Sequence, residues 1–400
     1  MRLHRNLVFT VIDSLNSIFN EGIYADKAVE AALKRDARWG ARDRKFVAET
    51  IYEIVRWKRL YTEIAETKEH YSRENLWKIF TVWAVLRGIK LPDWKYFENA
   101  PERRIKGRFD QVQAIRKIKE SIPDWLDAVG VEELGVKWDK EITALNIQAP
   151  VVLRANTLRT TRLGLEKSLN ENEIETIVDE KYPDALILKE RKNVFRTDAF
   201  KSGLFEVQDA SSQLVASFLD VKPGMRVVDT CAGAGGKTLH LAALMENKGQ
   251  IIAMDIYAGK LKELKRRAKR AGAHNITPRL IESTKTIKKL KESADRVLID
   301  APCSGLGVLK RNPDAKWKLQ PEFIDNIRKT QEEILESYSR LVKRGGKMVY
   351  ATCSILPSEN EQQVEKFLEN NSDFKLVKEN KVSPSESGFD GFYMALLEKS

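Results

Sequence analysis

Asp229-Thr-Cys-Ala-Gly-Ala-Gly-Gly-Lys-Thr238 follows the short apolar segment Arg226–Asp229 and opens a helical pattern. Such a strand-to-helix junction turns backbone N–H groups and the positive end of a helix toward a ligand. Two nucleotide-binding patterns come close to it. A phosphate-binding P-loop needs a glycine at the position of Cys231, and the dinucleotide pattern G-x-G-x-x-G needs one at the position of Thr238. Asp255 ends the next apolar segment, where an acidic side chain can accept hydrogen bonds from both hydroxyls of a ribose. The competing explanation is structural: glycines that merely permit a tight turn, and a solvated strand end. A loop matching neither phosphate pattern, within a seven-strand pattern that ends in a hairpin, points to S-adenosylmethionine, which has no phosphate to cradle.

Outward from this loop, apolar strands alternate with amphipathic helices, the pattern of a mainly parallel sheet with crossover helices. Strands are expected at Arg226–Asp229, Gln250–Asp255, Arg279–Glu282, Arg296–Asp300, Lys347–Ala351, Phe374–Lys378 and Phe392–Leu397. The last two lack a clear helix between them and read as an antiparallel hairpin. The expected fold is therefore α/β, a Rossmann-like seven-strand domain over residues 223–400. Upstream, Val151–Asn156 and Ala185–Leu188 read as strands and Leu163–Asn170 as a helix, a small α+β module over 146–222. Residues 1–145 carry helical periodicity at Val8–Phe19, Ala25–Leu33 and Arg42–Leu60, predicting an all-α domain. Seven of the eight tryptophans lie there, and core packing explains them better than base stacking.

The 400 residues suffice for several cores, and 42% hydrophobic with 32% charged residues is a folded, water-facing composition. Sixty-nine Lys plus Arg against 58 Asp plus Glu give a formal charge of +11, which favours polyanionic partners. Three cysteines without a C-x-x-C and four dispersed histidines argue against a disulfide scaffold and against a bound metal. Leu7–Ile12 is a poor signal sequence and no apolar run is long enough to span a membrane, so a cytoplasmic protein is expected.

Asp300-Ala-Pro-Cys303-Ser and Ala351-Thr-Cys353-Ser each follow an apolar strand. Both thiols should emerge at the carboxyl edge of the sheet, where open α/β folds bind ligands. A lone cysteine is usually buried and inert. Two at corresponding strand ends beside a cofactor loop suggest chemistry. Cytosine C5 takes a methyl group only after a thiolate adds at C6, and a carboxyl group near N3 supports that addition. Asp300 is the candidate for this group, although a strand-end cap would look the same. Loss of the C5 proton and expulsion of the thiolate then require a further group.

Residues 225–400 closely resemble the catalytic domain of the RsmB/Sun/Fmu family of RNA cytosine-C5 methyltransferases. The resemblance rests on Asp229–Thr238, Leu298-Ile-Asp-Ala-Pro-Cys-Ser-Gly305, Tyr350-Ala-Thr-Cys-Ser354 and Asp390-Gly-Phe-Tyr393. It implies that Cys353 is the nucleophile, that Cys303 assists release, and that Asp300 lies beside cofactor and base. It also assigns S-adenosylmethionine to Cys231, Ala232, Gly233, Ala234, Gly235, Gly236, Lys237, Asp255 and Asp300, with Glu282 as the acid after the third strand. The loop departs from the family's Cys-Ala-Ala-Pro-Gly-Gly-Lys at Gly233 and Ala234, which makes the turn more flexible. Ser358-Glu-Asn-Glu361 also matches, with a helix capping box as its simpler explanation. Asn156, Val207–Ser212 and Trp39–Leu60 resemble the small RNA-recognition-like subdomain and NusB-like domain of the bacterial ribosomal-RNA members.

The expected substrate is therefore 16S ribosomal RNA, bound by a monomer. Transfer RNA is one alternative, and a non-catalytic RNA-binding assembly factor is another. Lys260–Lys291 holds twelve basic residues against two acidic ones, either a solvated helix face or a phosphate track. Arg103, Arg104, Lys106 and Arg108 form a second cluster. Lys310-Arg311, tethered to the Pro-Cys loop, is the expected contact for phosphates near the target base.

Overall fold

The computed structural model describes residues 2–68 and 70–400. Two compact units divide the chain: Met1–Ile147 with Leu309–Pro321, and Gln148–Val308 with Glu322–Ser400.

The first unit is helical. It opens with α1 (Arg5–Phe19), α2 (Ala25–Lys34), α3 (Ala41–Arg56), α4 (Lys58–Ile64) and α5 (Arg73–Leu86). Their apolar faces meet in a core containing the fully buried Val11, Leu15, Val47, Ile51, Ile54, Leu76 and Phe80. The single helix expected over Arg42–Leu60 is two helices, because Trp57 leaves the helical region (φ −102°, ψ 25°). Trp39, Trp77, Trp83 and Trp138 are buried. Core packing is thus their role in this unit.

Residues 309–321, expected with the sheet, pack in the helical unit instead. The Asp314 carboxylate accepts from the Ala25 amide at 2.9 Å and caps α2, whose preceding residue Tyr24 offers no side-chain cap. Trp317 Nε1 donates to the Val55 carbonyl at 2.8 Å, and the buried Lys316 donates to Asn146 Oδ1 at 3.0 Å. Arg56 donates to the Lys310 carbonyl at 2.8 Å. Lys310 is only 3% exposed, so it does not offer its side chain to phosphates as expected.

The second unit begins with β1 (Val152–Ala155), β2 (Thr176–Ile177), β3 (Ala185–Leu188) and β4 (Phe205–Val207), an antiparallel sheet in the order β2-β3-β1-β4. It continues with β5 (Arg226–Asp229), β6 (Gln250–Asp255), β7 (Ile276–Leu280), β8 (Ala294–Asp300), β9 (Val342–Thr352), β10 (Phe374–Val382) and β11 (Phe392–Lys399). These form one seven-stranded sheet in the order β10-β11-β9-β8-β5-β6-β7, so the expected fold class is borne out. β9, β8, β5, β6 and β7 run parallel, and β10 and β11 close the edge as the expected antiparallel hairpin.

Alternate residues along each strand enter two cores. Val228, Ile252, Val297, Ile299 and Met348 pack on one face with Leu335, Val364 and Phe367. Val227, Ile251, Leu298, Val349 and Ala351 pack on the other with Val215, Leu239 and Leu241. Covering both faces is what a parallel sheet requires. The strand order reverses between β5 and β8, which opens a crevice at their carboxyl ends.

Candidate active site

Asp229, Asp255, Asp300 and Thr352 end β5, β6, β8 and β9 at the same edge of the parallel sheet. Asp300 pairs in register with Ala351, two residues before Cys353. The sheet register therefore brings the two cysteine motifs together.

The glycine loop turns sharply at Gly235 (φ +88°), where an added Cβ would lie 2.8 Å from Leu264. At Gly233 (φ +54°) an added Cβ would meet nothing within 4 Å, so the loop leaves open space there. Asp255 holds the loop: its Oδ2 accepts from the Gly233 amide at 2.8 Å and its Oδ1 from the Tyr257 amide at 2.8 Å. Each oxygen retains a further lone pair, which suits the two hydroxyls of a ribose. Open backbone with a strand-end acid and no phosphate-binding pattern fits S-adenosylmethionine.

Asp229 is 1% exposed, accepts from Thr238 Oγ1 at 2.7 Å and has no partner for Oδ1. Burial pushes its carboxyl up to about 7. Burial, with Asp229 nearby, also pushes the Cys231 thiol well up, which keeps it protonated. Cys231 is therefore suited to shaping the loop and not to nucleophilic attack.

Lys237 Nζ donates to Asp300 Oδ2 at 2.7 Å and lies 5.1 Å from the centre of the Phe392 ring. Burial alone would favour the neutral amine. Asp300, with smaller contributions from Cys353 and Asp229, outweighs it and holds Lys237 above the usual lysine range. The site thus keeps an ammonium beside Asp300.

Cys303 Sγ lies 3.4 Å from Cys353 Sγ. Sharing a hydrogen bond with Cys353, and then burial, push the Cys303 thiol well above its ordinary range. Either sulfur can donate in this contact. Gly307 lets the loops approach: its amide donates to the Cys353 carbonyl at 2.9 Å, and a Cβ would meet that oxygen at 2.7 Å and the Gly391 carbonyl at 2.3 Å. The Pro-Cys, Thr-Cys and Asp-Gly-Phe-Tyr motifs converge there.

Glu359 lies behind both cysteine loops and is fully buried. Its carboxylate accepts from Ser304, Ser354 and Gln331. The capping box expected over Ser358–Glu361 does not form, because the helix Glu361–Asn370 has Asn360 at its N-cap with no side-chain cap bond.

Glu282 is exposed, in the loop beyond β7, which ends two residues before the strand was expected to. The backbone reaches the Asp255 strand end one residue earlier, where the Ile281 amide donates to the Asp255 carbonyl at 2.9 Å. Of the basic run, Arg267 and Arg270 are not exposed to RNA as a charged face; both pair with the buried Glu206 of β4. Arg267 also donates to the Ala234 carbonyl at 2.9 Å, and Arg154 of β1 to the Gly236 carbonyl at 2.7 Å. The small sheet thereby braces the glycine loop, a role that charge counting did not reveal. Lys260, Lys262, Lys265, Arg266 and Lys269 remain exposed. Asn156 spends its amide on the carbonyls of Gly203 and Ala271, both at 2.8 Å.

Among the described residues no group of three or more His, Cys, Asp and Glu could hold a metal ion, and no helix is long and apolar enough to cross a membrane.

The family model described as 16S rRNA methyltransferase RsmB/F matches residues 216–398, and a ferredoxin-like domain of RsmF/B-like methyltransferases matches residues 122–195. The probable ribosomal RNA small subunit methyltransferase B of Synechocystis sp. is 30% identical, with 99% of each chain covered. The ribosomal RNA small subunit methyltransferase B of Vibrio cholerae is 35% identical over 69% of this chain and 65% of its own length. The crystal structure of PH0851 superposes over 100% of both chains with a TM-score of 0.83 at 27% identity. A methyltransferase homologue from Pyrococcus horikoshii, also 27% identical, gives a TM-score of 0.64 over 71% of this chain and 98% of its own.

Proposed function

The chain belongs to the RsmB/F family of 16S rRNA methyltransferases, and from that premise we propose that it forms 5-methylcytosine in small-subunit ribosomal RNA, with Cys353 as the nucleophile. The observation that carries this reading is the 3.4 Å approach of Cys303 and Cys353 beside the Lys237–Asp300 pair.

Cys231–Lys237 and Asp255 would hold S-adenosylmethionine, which supplies a methyl group as an electrophile. The Cys353 sulfur, with its proton given up to solvent, forms a bond to C6 of cytosine as a thiolate while the C5–C6 π electrons move to C5. Lys237 and Asp300 act at the pyrimidine edge, the ammonium offsetting negative charge as it develops there. Release follows when C5 loses its proton to a base such as water, those electrons restore the C5–C6 double bond, and the Cys353 sulfur leaves as a thiolate. Cys303 is the group adjacent to that sulfur and serves this step. The target base must be unstacked to reach the thiols.

On this reading residues 1–145 are a helical RNA-binding domain, 146–222 an RNA-recognition-like subdomain and 223–400 the catalytic domain, with 309–321 lent to the helical unit. The enzyme works as a cytoplasmic monomer, and the exposed lysines of Lys260–Lys269 contact RNA phosphates. Transfer of labelled methyl groups to unmodified small-subunit rRNA, and not to transfer RNA, is the expected result. Labelling of transfer RNA alone would overturn the substrate assignment.

A further inference from the structure

We propose that Glu359 is the positioning residue of the thiol pair, tying the Pro-Cys loop to the Thr-Cys loop so that Cys303 and Cys353 stay within contact. Its carboxylate accepts from the Ser304 amide at 2.8 Å, Ser304 Oγ at 2.5 Å, Ser354 Oγ at 2.5 Å and Gln331 Nε2 at 3.0 Å. Ser304 and Ser354 each immediately follow a cysteine, and their hydroxyls lie 3.2 Å apart. The two loops are built alike: each hydroxyl donates to Glu359 and accepts from the amide two residues on, Leu306 at 3.3 Å and Leu356 at 3.2 Å.

The surroundings fix the clamp in turn. Tyr350 donates its hydroxyl to the Glu359 carbonyl at 2.7 Å, and Gln331 Nε2 also donates to the Pro302 carbonyl at 3.0 Å. Asn360 accepts from Thr352 Oγ1 at 2.5 Å and donates to the Ser354 carbonyl at 3.1 Å. A fully buried carboxylate is costly unless its lone pairs are filled. Here four donors from both loops and the helix Pro321–Tyr338 fill them. An ionised carboxylate only accepts, whereas an amide in its place would turn two N–H donors toward groups that are donors themselves. The same negative charge adds to the forces that hold the Cys303 thiol protonated.

This role rests on the proposed function only in taking the two thiols as the reacting groups. The test uses the full chain, wild type and Glu359→Gln, with two readouts. Phenylarsine oxide, which bridges two close thiols with release of water, reports their spacing without RNA or cofactor. Methyl transfer to small-subunit rRNA reports turnover. Glu359→Gln should weaken arsenical capture at least tenfold and lower kcat at least tenfold, with KM for S-adenosylmethionine within twofold. Capture and kcat equal to wild type would overturn the role. If Glu359→Gln fails to fold, Ser354→Ala decides: capture weakened at least threefold with unchanged melting supports the clamp, and unchanged capture overturns it. A wild-type protein that captures the arsenical yet methylates no RNA, with capture lost in Glu359→Gln, would sustain the clamp and defeat the proposed reaction.

Discussion

Cys303 Sγ sits 3.4 Å from Cys353 Sγ, across 50 residues of sequence, because β8 and β9 run parallel with Asp300 beside Ala351. The contact makes the two thiols unequal. The contact with Cys353 and burial push the Cys303 thiol well above its ordinary range, so Cys353 should be the sulfur that reacts first. Iodoacetamide followed by peptide mass mapping at pH 8 should label Cys353 at least tenfold faster than Cys303. Equal rates would show that the contact does not set the two thiols apart in this way.

Lys237 and Asp300 form a pair whose side chains are 12% and 29% exposed. Lys237→Met leaves the carboxylate beside apolar atoms and removes the ammonium from the reacting edge. The expected outcome is a loss of at least 100-fold in methyl transfer and about 1–3 kcal/mol of stability, by analogy with other broken, mostly buried pairs. Urea denaturation and a filter-binding methylation assay measure the two effects separately.

Asp229 titrates near 7 in the folded protein because it is buried, against about 4 for an unfolded aspartate. The native state therefore holds the extra proton between these values, and this contribution to stability is present below pH 4 and lost as pH rises to 7. Asp229→Asn should abolish that loss, on the order of 4 kcal/mol across the window. His240 slopes the other way: burial and Arg154 lower it to about 4, so its contribution is lost as pH falls from the ordinary histidine range. Both proteins contain His240, and the difference between their urea-unfolding curves at pH 4.5 and 7.5 isolates Asp229.

Asp314 caps α2 from a segment that is distant in sequence. Asp314→Ala should cost about 1 kcal/mol, and hydrogen exchange at the Ala25 amide should accelerate. Unchanged protection at Ala25 would mean that the contact does not hold the segment in solution.

The parts of this molecule that repeat a local rule were legible in its sequence. Alternating apolar strands and crossover helices gave the seven-stranded sheet, and glycines after Asp229 marked the loop that Asp255 holds. Cys303 and Cys353 could be placed at one edge because each follows a strand. Long-range partners were not legible. Ser358-Glu-Asn-Glu361 reads as a helix capping box, and Glu359 within it stands out for nothing, because its donors Ser304 and Gln331 lie 55 and 28 residues away. Lys310 looked like a phosphate contact because nothing nearby in sequence shows that residues 309–321 pack against helices begun nearly 300 residues earlier. Arg267 and Arg270 read as surface charge because their partner, Glu206 of the small sheet, lies 61 and 64 residues away.

Incubating Cys303→Ala and Cys353→Ala with S-adenosylmethionine and unmodified small-subunit rRNA separates the roles of the two thiols. A denaturant-resistant protein–RNA adduct should accumulate with Cys303→Ala and not with Cys353→Ala, since the first keeps the nucleophile and loses the group that serves release. An adduct with Cys353→Ala alone would reverse the roles, and an adduct with neither would contradict covalent attack by Cys353.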